Sequence, residues 1–273
     1  MNKKYIFLDI DGTLVNFDGK MPDSSFEALK KARQNGHELV ICTGRQLSQV
    51  YPWLLEKARF DGLIVSGGAM VIRNGETIFH NCFSSEELSY IVNYFEDKKI
   101  SYYLQTVSDI VSKQWCTEKA SRLFAKYGYD PEVLDNLFGV TTIDNDLINR
   151  KDVEKIVYYD SGKEVCEIQQ EVGNKYHIVG YSFGNMGKTN GELSIDGINK
   201  ATGIFEYLKY CGAHIKDSIA FGDGDNDIEM LEAAEISVAM GNATDELKAV
   251  ADFVTAPITG DGLYKAFCEF NLI

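Results

Sequence analysis

The stretch FGDGDNDIEML, residues 221–231, sets Asp223, Asp225 and Asp227 within five positions at the end of an apolar run. Two like charges about 4 Å apart repel by roughly 4 kcal/mol at an effective dielectric near 20. A fold keeps such a cluster where water or a cation sits in it. An EF-hand calcium loop starting at Asp223 needs Gly at its sixth position and Glu at its twelfth; Ile228 and Ala234 stand there instead. The remaining reading is another kind of cation site, completed by ligands from elsewhere in the chain.

Around this stretch the pattern alternates. DSIAFGDG reads as a buried strand, NDIEMLEAA as a helix, ISVAMG as a strand and ATDELKAVA as a helix, with NKATGIFEYLKYCG a helix before them and DFVTA and GLYKAFCEF closing the chain. The first third has the same rhythm. KYIFLD, HELVICTG and FDGLIVSGG are short apolar runs of the kind buried on both faces, and SFEALKKARQNG is helical in period and closed by Gly36. Strand–helix–strand repetition implies a parallel sheet with right-handed crossovers. The middle differs. Ser84 and Glu87 match a capping box ahead of Leu88, Ile91, Val92 and Phe95 at helical spacing. SYYLQTV and DIVSKQW then read as antiparallel strands, followed by two further helix–strand pairs. The expected fold class is α/β: a Rossmann-like parallel-sheet core, residues 1–82 and 189–273, with an inserted α+β domain, residues 83–188. The joins HNCFSS and GNMGKTNG suit hinge strands.

The first strand ends in DIDGT, with Asp9 and Asp11 where the chain turns at Gly12. Ligand sites of open parallel sheets lie at such carboxyl ends. If both strands share a sheet, Asp9, Asp11, Asp223 and Asp227 converge at one rim. Hard oxygen ligands in that number, with no His or Cys nearby in sequence, fit Mg²⁺. Thr43 and Gly44 follow the second strand, where a hydroxyl and a backbone N–H at a helix start make either a phosphate cradle or an ordinary turn and cap.

Composition sets limits. The 273 residues carry a net charge of −14, which argues against a nucleic-acid groove or an anionic membrane as partner. No apolar stretch approaches membrane-spanning length, and the opening MNKKYIFLDIDG is not a signal peptide. Six scattered cysteines without a C-x-x-C pair, and four dispersed histidines, point to a reduced cytoplasmic protein without zinc. NAT at 242–244 is then a glycosylation pattern by chance. SFGNMGKT, 182–189, nearly matches a P-loop, but Ser182 takes the first required Gly position and no helical pattern follows Thr189.

DIDGTLV, ICTGR, DGINKATGI and FGDGDNDIEML together resemble the four ordered motifs of the haloacid dehalogenase superfamily of phosphotransferases, across nearly the whole chain. The inserted domain resembles the C2-type cap of the Cof-type sugar-phosphatase branch. One departure is SGGA at 66–69, where Cof-type chains often read S-N-G-A, so any contact made by that amide is lost at Gly67.

The resemblance implies Mg²⁺-dependent hydrolysis of a small phosphorylated metabolite, a sugar phosphate above all, through an aspartyl-phosphate. It makes Asp9 the nucleophile and Asp11 the general acid and base, with the Asp11 main-chain carbonyl, Asp9 and Asp223 on the metal and Asp227 ligating directly or through water. Lys200 would screen charge between Asp9 and the phosphoryl group, and Asn226 would contact phosphate beside Thr43 and Gly44. Asp225 is read as a cap or solvated, Arg45 as a residue that reaches the substrate or lies on the surface. The cap tyrosines 102, 103, 158, 159, 176 and 181 either pack strands or line a pocket. The alternatives are a phosphomutase and a non-catalytic phosphometabolite-binding protein. The particular substrate and the oligomeric state are not written in these motifs.

Overall fold

The computed structural model describes residues 3–16, 18–129, 141–180 and 188–273. Two compact units divide the chain: Met1–Arg45, Val50–His80 and Asn199–Ile273 form one, and Gln46–Gln49 with Asn81–Ile198 the other.

The first unit is built on an eight-stranded sheet. Strands β1 (Tyr5–Leu8), β2 (Glu38–Cys42) and β3 (Gly62–Val65) run parallel outward in one direction. Strands β12 (Ser218–Gly222), β13 (Ser237–Ala239) and β14 (Phe253–Val254) run parallel outward in the other, with β12 beside β1. All four residues of β1 and all five of β2 are buried, as their unbroken apolar runs require. Helices cover both faces. Ile204, Tyr207 and Leu208 of the helix Lys200–Cys211 pack with Met230, Leu231 and Leu247 over Phe7, Val40 and Ala220. On the opposite face Phe221 meets Phe267 of the helix Gly262–Glu269, ring centres 5.2 Å apart.

β3 continues into an antiparallel hairpin, β4 (Met70–Arg73) and β5 (Glu76–His80), which the apolar pattern does not announce because β5 is largely exposed. Its signal is Asn74-Gly75, both at positive φ, the pair that two-residue hairpin turns select.

The second unit is α+β. Its sheet runs in the order β10 (Tyr176–Gly180), β11 (Gly191–Ile195), β9 (Val153–Tyr159), β6 (Ser101–Thr106), β7 (Ile110–Ser112), β8 (Thr141–Ile143), antiparallel except for the last pair. The helix Ser85–Lys98 starts with both halves of the expected capping box, Ser84 and Glu87. It buries Leu88, Ile91, Val92 and Phe95 on the sheet with Tyr102, Tyr158 and Tyr176. Tyr181 and residues 182–187 of the P-loop-like stretch lie outside the described residues.

Two expectations need correction. The polar join puts the return to the core at 189, yet β11 pairs with β9 and β10 in the second sheet, and the first unit resumes at Asn199. Backbone hydrogen bonding, not the polar composition of the join, sets this boundary. DIVSKQW is strand only to Ser112; a helix begins at Gln114.

Candidate active site

Strand order runs outward in opposite directions from the β1–β12 pair. That reversal is a topological switch point, and ligands of open sheets collect outside the carboxyl ends there. Asp9 leaves β1 and donates its amide to Phe221 O at 3.1 Å; Asp223 leaves β12 one residue past Gly222. The sheet thus closes a sequence gap of more than two hundred residues.

Asp9, Asp223 and Asp227 are buried and place carboxylate oxygens within 4.8 Å of one another. Lys200, only 3% exposed, donates from Nζ to Asp9 Oδ1 at 2.7 Å and to Asp227 Oδ1 at 2.5 Å. The backbone amides of Asp223 and Gly224 donate to Asp227 Oδ2 at 3.0 and 3.1 Å. Both oxygens of Asp227 are therefore engaged, one by Lys200 and one by the turn it closes. Thr13 Oγ1 donates to Asp223 Oδ1, and Asn242 Nδ2 to Asp223 Oδ2, each at 3.3 Å. Asn242 also donates to Gly12 O at 3.0 Å and accepts from Ile258 N at 2.9 Å, so it stitches the two acidic loops together.

Burial pushes Asp9 well above the usual carboxylate range; Lys200 opposes this, and the neighbouring aspartates add to it. Asp223 is pushed up to about 7 by burial and then by Asp227, against Lys200 and Thr13. Burial would lower Lys200, but Asp227 and Asp9 outweigh it, so the ammonium keeps its charge. With all three carboxylates ionised, a single ammonium would leave excess negative charge in a buried place, which is why Asp9 and Asp223 hold their protons more tightly than free carboxyls. Hard oxygen donors there suit a divalent cation of the Mg²⁺ kind.

Asp11 goes elsewhere. Strand pairing ends at Leu8, and Asp9 and Asp11 lie beyond it, where strand alternation does not set which way a side chain points. Arg45 grips the Asp11 carboxylate at two points, Nε to Oδ2 at 2.6 Å and Nη2 to Oδ1 at 2.9 Å. Arg45 is thus a partner of Asp11 rather than a loose surface residue. Burial, and to a lesser degree the Asp11 carboxylate, push the Tyr51 phenol up, with Arg45 opposing, so Tyr51 keeps its hydroxyl proton at neutral pH.

Thr43 is buried at the same sheet edge, one residue past β2, and its hydroxyl accepts from Arg45 N at 3.2 Å. No α-helix starts there; the next begins at Pro52. The Thr43–Gly44 segment is instead a loop braced by Gly67 N on Thr43 O at 3.0 Å and Ser66 N on Arg45 O at 2.7 Å. Gly67 takes φ 63°, ψ 28°, a conformation that Asn tolerates next best to Gly, so SGGA keeps the turn that S-N-G-A would make. Next to it, a Cβ on Gly68 would lie 1.9 Å from Asn199 O, so only glycine lets this turn sit against the helix start that carries Lys200. Asn226 is exposed in the short turn Asp225–Asp227, and Asp225, also exposed, accepts from Thr244 Oγ1 at 2.7 Å.

The structure therefore gathers Asp9, Asp223, Asp227 and Lys200 directly. Asp11 stands beside them on Arg45, and Thr43, Gly44 and Asn226 are at the ends of neighbouring strands. Thr13 and Asn242 escape a reading by motif chemistry, since neither is charged. Asn242 follows β13, so the carboxyl-end rule that finds Asp9 and Asp223 also reaches it.

Comparison with known proteins gives the family. The family profile described as haloacid dehalogenase-like hydrolase matches residues 6–267. The Bacillus subtilis protein YkrA is 30% identical over 280 residues, with 100% of both chains covered. The 5-amino-6-(5-phospho-D-ribitylamino)uracil phosphatase YcsE of Bacillus subtilis is 25% identical, covering 98% of this chain and 96% of its own. Among solved structures, the subclass IIB sugar phosphatase BT4131 superposes with a TM-score of 0.80 at 29% identity, over 99% of this chain and 100% of its own. The chain belongs to the haloacid dehalogenase-like hydrolases and is a phosphatase of their Cof-type branch.

Proposed function

We propose that the protein hydrolyses small phosphorylated metabolites, sugar phosphates foremost, with Mg²⁺ as its metal. The observation that carries this is the buried cluster of Asp9, Asp223 and Asp227 held by Lys200. The ribityl phosphate and sugar phosphate named for YcsE and BT4131 both suggest a polyhydroxylated leaving group. Asp9, Asp223 and the main-chain oxygen of Asp11 would hold the cation. Asp227, whose oxygens serve Lys200 and the turn, orients Asp223 and Lys200, or reaches the cation through water. The bound cation would offset the repulsion between an anionic nucleophile and an anionic ester.

Asp9 attacks phosphorus: an Asp9 O–P bond forms as the ester P–O bond breaks, and Asp11 gives its proton to the departing oxygen. Water then attacks the acyl phosphate, Asp11 takes back a proton, inorganic phosphate leaves and Asp9 is regenerated. Lys200, Thr43, Gly44 and Asn226 bind the phosphoryl oxygens. The second unit, the proposed cap, supplies substrate specificity.

The test is phosphate release over a panel of phosphorylated sugars and polyols, with Mg²⁺ and with chelator. Release from at least one of them, lost in chelator and restored by Mg²⁺, is expected. Asp9→Asn is expected to end turnover with an unchanged circular dichroism spectrum. Undiminished hydrolysis in chelator, or an active Asp9→Asn enzyme, overturns the reading.

A further inference from the structure

We propose that Tyr51 is a positioning residue for this hydrolysis, holding Arg45 so that Arg45 presents the Asp11 carboxyl group to the leaving oxygen. The proposal rests on the acid–base role given to Asp11 above.

Asp11 lies in a turn, and its side chain is 41% exposed. A carboxyl group so placed turns freely into solvent unless something holds it. Proton transfer needs the donor within hydrogen-bond reach of one oxygen, so a freely rotating Asp11 loses rate without losing substrate affinity. Arg45 supplies the hold through its two-point contact with the ionised carboxylate, the form that takes a proton from the attacking water; when Asp11 carries the proton, one of the two contacts opens and the other keeps its direction.

Arg45 is itself held at both ends. Its backbone is tied by Ser66 N on its carbonyl and by its own amide on Thr43 Oγ1. Its guanidinium is tied by Tyr51. Nη2, the nitrogen that reaches Asp11 Oδ1, also donates to the Tyr51 hydroxyl at 2.8 Å. The guanidinium carbon lies 4.5 Å from the centre of the same ring. One tyrosine thus provides a hydrogen bond and an aromatic face to a single cation. The ring in turn stacks on Trp53, centres 5.7 Å apart and planes 28° from parallel. Tyr51 occupies the N-cap position of the helix Pro52–Lys57, where the proline restricts the preceding backbone. The chain of support runs from a helix start through Tyr51 and Arg45 to Asp11, and Tyr51 itself needs no contact with substrate.

Leaving groups separate this role from mere packing. A nitrophenolate departs without a proton; the alkoxide of a sugar or polyol phosphate does not. Tyr51→Leu, Tyr51→Phe and Asp11→Asn are assayed on 4-nitrophenyl phosphate and on an alkyl phosphate that the unaltered enzyme turns over, with folding checked by circular dichroism. In Tyr51→Leu, kcat on the alkyl ester is expected to fall about tenfold more than on the aryl ester, with KM moving less than about threefold. Tyr51→Phe, which keeps the ring and loses the hydroxyl, is expected to show the same preference at about threefold. Should Tyr51→Leu fail to fold, Tyr51→Phe decides alone. Equal loss on both esters, no loss, or a change confined to KM overturns the role of Tyr51. If Asp11→Asn also fails to discriminate between the esters, the acid–base assignment of Asp11 falls with it.

Discussion

Gly12 decides whether the two halves of the acidic cluster can meet. Its φ is +83°, and a Cβ built on it would lie 1.9 Å from Asp223 Oδ2. Asp223 has little room to retreat, because Thr13 and Asn242 hold its two oxygens. Gly12→Ala is therefore expected to displace the Asp223 carboxylate and force alanine into left-handed backbone. The stability cost is about 1–3 kcal/mol, and the expected loss of activity at fixed Mg²⁺ is about 10–100-fold, the range for disturbing the groups that orient a ligand of the proposed cation. Thermal melts and a Mg²⁺ titration of phosphate release check this. A variant with unaltered Mg²⁺ dependence would show that Asp223 is not confined by that close approach. The DIDGT motif marks Gly12 as a turn residue, but it does not say that the turn lies against a carboxylate from the far end of the chain.

At the scale of elements, Glu38 ties the start of β2 to three other segments. Its carboxylate is 5% exposed; Tyr207 Oη donates to it at 2.6 Å and Arg73 Nε at 3.0 Å, with Lys3 on the other oxygen. Burial alone would raise its pKa, but hydrogen bonds from Arg73, Lys3 and Tyr207 outweigh burial and hold it at about 2, against 4.5 for a free glutamate. The folded state thus favours the carboxylate. Its contribution is complete above about pH 5 and disappears as pH falls from about 4.5 towards 2. Glu38→Gln is expected to lower stability by about 2 kcal/mol at neutral pH, with the gap to the unaltered protein closing below about pH 4. Urea midpoints at a series of pH values measure it; a gap that stays constant into acid would rule out the ionised network as its source. None of this was legible in HELVIC, where Glu38 looks like the polar edge of an apolar run. Its partners come from β4, a helix 169 residues later and the amino-terminal segment.

For the molecule as a whole, the two units have separate cores, one around Phe7, Val40 and Tyr207 and one around Phe95, Tyr102 and Tyr158. All the residues assigned to the cation lie in the first. Mg²⁺ at one hundred times its dissociation constant is expected to stabilise that unit by about 2.7 kcal/mol. Phe95→Ala, which empties a fully buried site in the other core, is expected to cost about 3–5 kcal/mol there. Calorimetry then shows two transitions, one moved by Mg²⁺ and the other by Phe95→Ala. A single transition that both perturbations shift together would mean that the cores unfold as one. Among the described residues, no helix is long and apolar enough to cross a membrane. The order of buried strands, the helices between them, and the aspartates closing β1 and β12 were readable from the chain alone, because buried strands and capped helices leave local patterns of apolar spacing and turn residues. So was the family, from four motifs in order. What each carboxylate faces was decided only in three dimensions: Asp11 on Arg45, Asp227 on Lys200, Asp223 between Thr13 and Asn242. The same holds for β11, whose strand partners place it in the second sheet rather than the first. Alternation predicts direction only while a strand lasts; beyond its last paired residue, a side chain goes where distant segments offer it charge, hydrogen bonds and room.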